Sequence, residues 1–168
     1  MRRVVQFVAY LRPQGPAVDA ELRALVAPPQ WALLARLSRG DRAHLLAVYR
    51  RLVAWGCQDP HLLLAALLHD AGKADARGRV GLSQRVAAVL LGRVAPRLLA
   101  ALAQPGRGRW RHGLYLATMH AQLGAEQARR AGCGERVCWL IAHHHDAAID
   151  DAGLRLLQAA DEGVASWP

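Results

Sequence analysis

Hydrophobic residues recur along this chain at intervals of three and four positions, the spacing that collects them on one face of an α-helix. The strict alternation of apolar and polar residues that is typical of β-strands is missing. The pattern predicts an all-α fold, a single compact helical bundle of about seven or eight helices. The predicted helices span residues 20–26, 31–38, 41–55, 60–72, 83–103, 114–130, 135–145 and 152–161.

Several predicted helix ends carry residues that favour such positions. Asp41 is expected to cap the helix that runs to Trp55, and Gly56 is expected to close it. Asp59 followed by Pro60 is typical of a helix start, because an aspartate caps the first turn and proline tolerates the first helical position.

Two helices further along the chain are expected to be irregular. The helix 83–103 is expected to bend near Gly92 and Pro96, and the helix 114–130 to break near Gly124. The basic stretch QPGRGRWRHG between them is expected to form a loop. A solvated loop is the simpler interpretation, and contact of its arginines with a nucleotide or RNA is the alternative.

The most apolar segment of the chain ends in polar residues. LLLAALLHDAGK begins with seven uninterrupted apolar residues, so its helix is expected to lie at the centre of the bundle. His69 and Asp70 follow at once, and Lys73, three residues later, is the only lysine beside 21 arginines. An imidazole and a carboxylate placed next to a core need compensation, because an unpaired buried charge is costly.

Composition narrows the class of partner. The chain of 168 residues has a formal charge of +9 and a pI near 10.9, which indicates an anionic partner such as a phosphorylated metabolite, a nucleic acid or a membrane surface. The basic residues are nearly all arginine and asparagine is absent, so part of the charge reflects compositional bias and nucleic acid is less favoured.

Cysteine content and hydropathy predict a cytoplasmic protein. Three cysteines, Cys57, Cys133 and Cys138, are too few and too odd in number for a disulfide framework. The apolar run Val4–Leu11 contains Gln6 and is too short for a typical secretion signal. No apolar run approaches the roughly 20 residues of a membrane span.

Histidine and aspartate recur where helices are expected to end or to face inward. Neutral imidazoles donate nitrogen and carboxylates donate oxygen to a divalent cation, which also balances the carboxylate charge. A shared cation site is therefore the prediction. The positions are His44, the pair His69 and Asp70, His120, the run His143–His145, and Asp161.

In this order the elements resemble those of the HD-domain metal-dependent phosphohydrolases, over roughly residues 42–163. AALLHDAGK is similar to the HD signature with its trailing Gly-Lys, and DRAHLLAVYRRL to the earlier helix with its histidine. HAQLGAEQARRAG, the HHD stretch at 144–146 and the aspartate of LLQAADEG follow in the family's order. The resemblance implies a helical metal-binding core at 41–163, preceded by an N-terminal helical extension at 1–40, in a single domain.

The resemblance also implies the ligand set. One ion would be held by His44, His69, Asp70 and Asp161. A second ion would be held by His120, His144 and His145, with Asp70 bridging the two. One or two divalent ions per chain are expected; Fe, Mn, Co or Ni suit mixed imidazole and carboxylate ligands without thiolate better than Zn does, and Mg remains an option. Asp70 and Lys73 are the expected catalytic residues, with Lys73 beside a substrate phosphate.

Two choices stay open in the sequence. His112 competes with His120, which is preferred for its HxxxGAE context. Three consecutive histidines cannot all face one point on a helix, so one of them, with His143 preferred, is expected to lie outside the ligand set. The sequence lacks the GYP element of the cyclic-di-GMP-cleaving branch, which argues against that substrate.

The predicted function is hydrolysis of a phosphoester or phosphoanhydride bond by metal-activated water, with a nucleotide or a related small phosphate as substrate. A non-catalytic nucleotide or RNA sensor that retains metal for structure is the alternative. The inositol-oxygenase branch of similar helical scaffolds gives a third candidate, a di-iron oxygenase. A homodimer contact through residues 86–103 is a further option.

Overall fold

The computed structural model describes residues 16–165, which are helical almost throughout; the apolar run at 4–11 lies outside them. Within these residues the one strand-like pairing is an isolated bridge between Ala74 and Arg79. The predicted all-α fold is confirmed. The described residues form nine α-helices and one 3₁₀ turn: α1 (Pro16–Leu25), α2 (Pro28–Leu34), α3 (Arg39–Ala54), α4 (Pro60–Leu68), the 3₁₀ turn (Ala71–Lys73), α5 (Leu82–Val94), α6 (Pro96–Leu102), α7 (Gly108–Arg130), α8 (Glu135–His143) and α9 (Ala152–Glu162).

One hydrophobic cluster joins helices from both ends of the described chain. Leu22 of α1, Leu34 of α2 and Leu157 of α9 are all completely buried in it. The helices α1 and α2, which were expected as an N-terminal extension, therefore pack on the same core as the later helices.

Helix α4 lies in the middle of the core, as its apolar sequence predicts. Its Ala65, Ala66 and Leu68 have no accessible surface, and the helix packs against α3, α8 and α9. The predicted cap is present: the carboxylate of Asp59 accepts hydrogen bonds from the backbone N–H groups of His61 and Leu62. Because α4 is capped and packed on several sides, the residues that follow it, His69 and Asp70, have a fixed position.

Helix α3 begins earlier than predicted, because Ser38 and not Asp41 is its N-cap. The hydroxyl of Ser38 accepts from the backbone N–H of Asp41 at 3.1 Å and donates to its carboxylate at 2.6 Å. Asp41 lies in the first helical turn, buried, and its carboxylate accepts two hydrogen bonds from Arg85 of α5. The predicted closing residue, Gly56, follows the helix with a left-handed φ of 82°.

The predicted long helix 83–103 is two helices. Ala95 separates α5 from α6 with a φ of −148° and a ψ of 61°. The residue before a proline is disfavoured in helical conformation, and Pro96 occupies the first position of α6. The chain therefore turns at this point instead of bending gently.

Helix α7 is longer and more regular than predicted. It begins at Gly108, so residues 108–113 of the expected basic loop are helical. The guanidinium of Arg111 donates to the carbonyls of Ala101 and Leu102 at the end of α6, which gives those carbonyls partners and fixes the start of α7. The expected break at Gly124 is also wrong, since the helix continues through it to Arg130.

Two helices end before the predicted residue. Helix α4 ends at Leu68, and Gly72 lies within the following 3₁₀ turn instead of terminating the helix. Helix α8 ends at His143, and the chain turns there, with the N–H of Asp146 donating to the carbonyl of His143. The residues directly after the two helices, His69 and His144, keep helical backbone angles, but the regular helices do not extend to Asp70 or His145.

The cysteines and the helix lengths agree with the sequence-based expectations. Cys57, Cys133 and Cys138 are free thiols, so the chain has no disulfide framework. None of the helices within residues 16–165 combines the length and the hydrophobicity that crossing a bilayer requires.

Candidate metal centre

Seven side chains from five parts of the chain converge at one place in the bundle. Six of them form two groups of potential metal ligands, in each of which the donor atoms lie within 4.8 Å of one another. The first group is His44, His69 and Asp70, and the second is His120, His144 and His145. Asp161 of α9 adjoins the first group.

Together with Asp161, the first group joins α3, the end of α4 and α9. The Nε2 atom of His44 lies 2.8 Å from Oδ1 of Asp161, within hydrogen-bonding distance. The same carboxylate oxygen is 3.5 Å from Nε2 of His69, whose ring centroid lies 5.6 Å from that of His44. His69 is completely enclosed because it caps the C-terminus of the central helix α4.

The second group joins α7 to the turn after α8. The Nε2 atoms of His120 and His145 are 2.9 Å apart. The ring of His144 lies between the groups, 5.3 Å from the ring of His120 and 5.1 Å from that of His69, measured between centroids. His144 and His145 both reach the cluster from the turn that follows the last residue of α8, His143.

Asp70 lies between the two groups. Its Oδ2 atom is 3.8 Å from Nε2 of His69, and its Oδ1 atom is 3.6 Å from Nε2 of His120. The two carboxylate oxygens therefore face different groups, which is the arrangement of a bridging ligand. Asp70 is 2 % exposed, so its charge is not balanced by solvent.

Three of the histidines are oriented in the same way by the backbone. The Nδ1 atoms of His69, His120 and His144 each lie 2.7–3.0 Å from the carbonyl oxygen three residues earlier. A carbonyl only accepts, so Nδ1 must carry the proton and donate, and Nε2 is left with its lone pair. This hydrogen bond is the usual means by which metal-binding histidines are held in position.

Two of these Nε2 atoms have no hydrogen-bond partner. Those of His69 and His144 are buried and unpaired among residues 16–165. A buried nitrogen without a partner costs on the order of 1–3 kcal/mol, so such atoms need an explanation. Both atoms point into the cluster, where a cation would be their partner.

Burial keeps most of the imidazoles neutral. It lowers the pKa of His120 to about 4, that of His144 to about 2, and that of His145 below its usual value. Burial also opposes protonation of His69, but the carboxylates of Asp70 and Asp161 outweigh it and raise the pKa of this residue. A cation held between the same carboxylates would take the place of that proton.

Both carboxylates of the cluster are anionic. Burial works against the charge on Asp70, but Lys73 and the nearby histidines outweigh it and hold the pKa of Asp70 well below its usual value. Burial likewise works against the charge on Asp161, but the hydrogen bond with His44 and the nearby imidazole of His69 outweigh it and lower the pKa of Asp161. The Nζ atom of Lys73 lies 2.5 Å from Oδ2 of Asp70, so the lone lysine is at the edge of the cluster.

Gly72 and Gly124 set the distance between the two groups. A Cβ atom at Gly72 would lie 2.1 Å from the carbonyl oxygen of His120 and 2.5 Å from the nitrogen of Gly124. The 3₁₀ turn that follows Asp70 therefore rests directly on the backbone of α7. The sequence predicts a helix end at Gly72 and a helix break at Gly124, but the two glycines instead allow the close contact between these segments.

Gln127, which the sequence did not single out, holds the other end of the same turn. Its side-chain amide donates to the carbonyl of Ala74 at 3.1 Å. It lies two turns along α7 from His120. The same helix therefore carries both a potential metal ligand, His120, and the residue that holds the 3₁₀ turn, Gln127. A glutamine on a helix gives no signal of such a role before the packing is known.

The two histidines that the sequence left as alternative ligands, His112 and His143, lie outside both groups. His112 is paired with Asp75, with 2.9 Å between its Nε2 and the carboxylate oxygen, and is in neither group. His143 is directed to Asp146, 2.7 Å from Nδ1 to the carboxylate, and packs on Trp139. The structure thus brings His120, His144 and His145 together and leaves His112 and His143 out.

The donor set fits divalent cations. Nε2 lone pairs from neutral, backbone-oriented imidazoles and oxygens from two anionic carboxylates are ligands that first-row transition metals accept. The two carboxylates carry two negative charges, so one dication would neutralise them and two dications would leave a positively charged centre able to bind an anion.

Comparisons with models of protein families, with curated proteins and with solved structures find no match to this chain.

Proposed function

We propose that this protein is a metal-dependent phosphohydrolase that cleaves a phosphoester or phosphoanhydride bond. The observation that carries the proposal is the pair of buried, unpaired Nε2 atoms, on His69 and His144, in a cluster with five further donors. Such an arrangement is costly to leave without a ligand, and divalent cations bound there would be partners for these donors.

Two cations account for the two groups of donors better than one does. His44, His69, Asp70 and Asp161 would hold the first, and His120, His144 and His145 the second, with Asp70 shared through its two oxygens. Two ions held by these residues would supply Lewis acidity toward a phosphoryl group and a water-derived nucleophile at neutral pH. The absence of thiolate ligands favours Fe, Mn, Co or Ni over Zn.

The remaining contribution of the chain is charge and orientation. Lys73 is anchored to Asp70, and its ammonium group is partly exposed beside the cluster. In that position it is suited to contact a non-bridging phosphate oxygen as a point charge. The formal charge of +9 favours an anionic substrate, and we infer a nucleotide or a related small phosphate.

The order of the donors along the chain supports the same reaction class. His44, His69–Asp70, His120, the histidines at 144 and 145, and Asp161 follow the order found in HD-domain phosphohydrolases, which these motifs resemble. The proposal therefore rests on two lines of support, the geometry of the donors and the resemblance of their sequence contexts.

The test is metal content measured together with phosphate release. Protein purified without chelator is expected to hold about two transition-metal ions per chain, and to release phosphate from nucleotides or a generic phosphodiester with added Mn²⁺. Asp70→Asn is expected to lose both properties. His143→Gln is the matched control, because this neighbouring histidine lies outside both donor groups and its replacement should leave them unchanged.

Two results would count against the proposal. Protein that contains no metal and takes up none from Mn²⁺, Fe²⁺, Co²⁺ or Ni²⁺ would remove the basis for the cluster as a cation site. Protein that binds metal and a nucleotide tightly without turnover, across this set of metals, would instead support a non-catalytic sensor.

A further inference from the structure

Helices α5 and α6 carry an apolar surface that the rest of the described chain leaves uncovered. Nine large hydrophobic residues within residues 16–165 are exposed, and six of them lie on these two helices. No residue of α5 is fully buried. We call this surface the α5–α6 face; it consists of Leu82, Val86, Val89, Leu90, Val94 and Leu98.

The apolar residues of α5 share one side of the helix. Leu82, Val86, Val89 and Leu90 are spaced at i, i+4, i+7 and i+8, which places them on a single stripe. The opposite side is half-buried and packs against α7, where the side chain of Gln84 fills the space beside Gly113. The stripe therefore points away from the bundle and belongs to no core.

The charged residues of α5 and α6 are all arginines. Residues 76–125 contain eight arginines and no aspartate or glutamate. Arg93 of α5 and Arg97 of α6 are exposed, and neither has a salt bridge with any residue in 16–165. A surface that is aliphatic and carries exposed, unpaired arginines is complementary to a partner that is both apolar and anionic.

This combination argues against three other occupants. A second copy of the chain would bring like charges together on the same face. Residues 1–15 of the same chain contain three arginines and no acidic residue, so they carry the same repulsion. A nucleic acid offers phosphates to Arg93 and Arg97 but nothing apolar for Leu90 or Val94, which is 79 % exposed.

We propose that the α5–α6 face binds the surface of an anionic lipid bilayer. Helix α5 lies in the plane of the interface, with Val86, Leu90 and their neighbours among the upper acyl chains and Arg93 and Arg97 at the phosphates. A bilayer offers negative charge and apolar volume along the whole length of a helix. The face is a stripe of aliphatic side chains, which matches such a surface.

Vesicle flotation with the full-length chain tests the proposal. Vesicles of phosphatidylcholine with about one-third phosphatidylserine are expected to carry the protein upward, whereas pure phosphatidylcholine vesicles leave it unbound. Binding is expected to weaken as salt is raised. The measurement is made in the presence of chelator, because the proposed site is separate from the metal centre and does not depend on its activity.

Variants separate the apolar and the ionic contributions. The double variant Val86→Ser, Leu90→Ser is expected to lower the partition coefficient by about tenfold or more. Arg93→Glu with Arg97→Glu is expected to lower it by more than about tenfold, since each reversal removes an attraction and adds a repulsion. Val53→Ser, on an exposed residue of α3, and Arg36→Glu are matched controls that should bind as wild type does.

Three outcomes would overturn the proposal. Equal binding by wild type and both double variants would show that the vesicles contact another surface. Absence of vesicle binding, together with a mass that doubles with concentration in wild type but not in Val86→Ser, Leu90→Ser, would assign the face to a second copy. Absence of vesicle binding with retention on an oligonucleotide that only Arg93→Glu with Arg97→Glu abolishes would assign it to nucleic acid.

Discussion

At the scale of single residues, the histidines of the cluster are fixed before any ligand arrives. His69, His120 and His144 each donate a hydrogen bond from Nδ1 to the carbonyl three residues earlier. This leaves Nε2 as the ring nitrogen whose lone pair can bind a metal ion. A helix end provides such carbonyls, because the last turn lacks intrahelical partners for them. The position of His69 and His144 at helix ends therefore both orients and buries their imidazole rings.

Replacing His144 is expected to change how stability depends on pH. Its folded-state pKa of about 2 lies below the unfolded value of 6.5, so below pH 6.5 the unfolded state binds a proton that the folded state does not. Stability is thus lost as pH falls through this window. In chelator-treated protein between about pH 6 and 4.5, His144→Gln should flatten the dependence by about 1.4 kcal/mol per pH unit, measured by urea unfolding.

The control for this measurement is His61→Gln, which removes an exposed histidine from the start of α4 and should keep the wild-type slope. A slope for His144→Gln equal to that of wild type would mean that the imidazole of His144 is accessible to protons in the folded state. The burial of this side chain in the structure would then be contradicted.

At the scale of elements, the contact between the 3₁₀ turn and α7 determines the spacing of the donors. Asp70 precedes this turn and His120 lies on α7, so the distance between them depends on how closely the two backbones approach. Gly72 meets the carbonyl of His120 and the nitrogen of Gly124 with no room for a Cβ atom. A glycine is required here for space, not for a left-handed conformation.

Gly72→Ala is expected to destabilise the protein by about 3 kcal/mol or more, because the added methyl group meets backbone atoms that cannot rotate away. The free energy of unfolding by denaturant measures the effect. Gly78→Ala is the matched control: a Cβ atom there has nothing within 4 Å, and the change should stay within about 1 kcal/mol. Equal stabilities for the two variants would rule out the close packing of the turn on α7.

At the scale of the whole molecule, the cluster ties distant parts of the chain together. His44 and Asp161 are 117 residues apart and meet at 2.8 Å. Helices α3, α4, α7, α8 and α9 all contribute to the two donor groups or adjoin them. A ligand bound there contacts only the folded state, so its binding free energy adds to the stability of the whole bundle.

Cation binding is consequently expected to raise the free energy of unfolding by about 3 kcal/mol when the free ion is at about a hundred times its dissociation constant. Thermal unfolding of chelated protein with and without Mn²⁺ measures the shift. Asp70→Asn should remove most of it, and His112→Gln, outside the cluster, should keep it. An identical shift in wild type and Asp70→Asn would place the bound cation elsewhere.

The sequence by itself determined the helical class, the cap of α4 and the buried position of the chain that ends in His69 and Asp70. These follow from local patterns: helical spacing, an aspartate before a proline, and seven apolar residues in succession. The sequence also determined that histidine and aspartate side chains are the potential metal ligands.

Only the tertiary structure decided which histidines meet and how the segments between them run. His120 and not His112 reaches the cluster because α7 is one continuous helix that places the two on different neighbours. Both His144 and His145 reach it from the turn that follows α8, where their ring centroids lie 3.9 Å apart. These outcomes depend on contacts between segments far apart in sequence, such as Gly72 against α7, which no local pattern encodes.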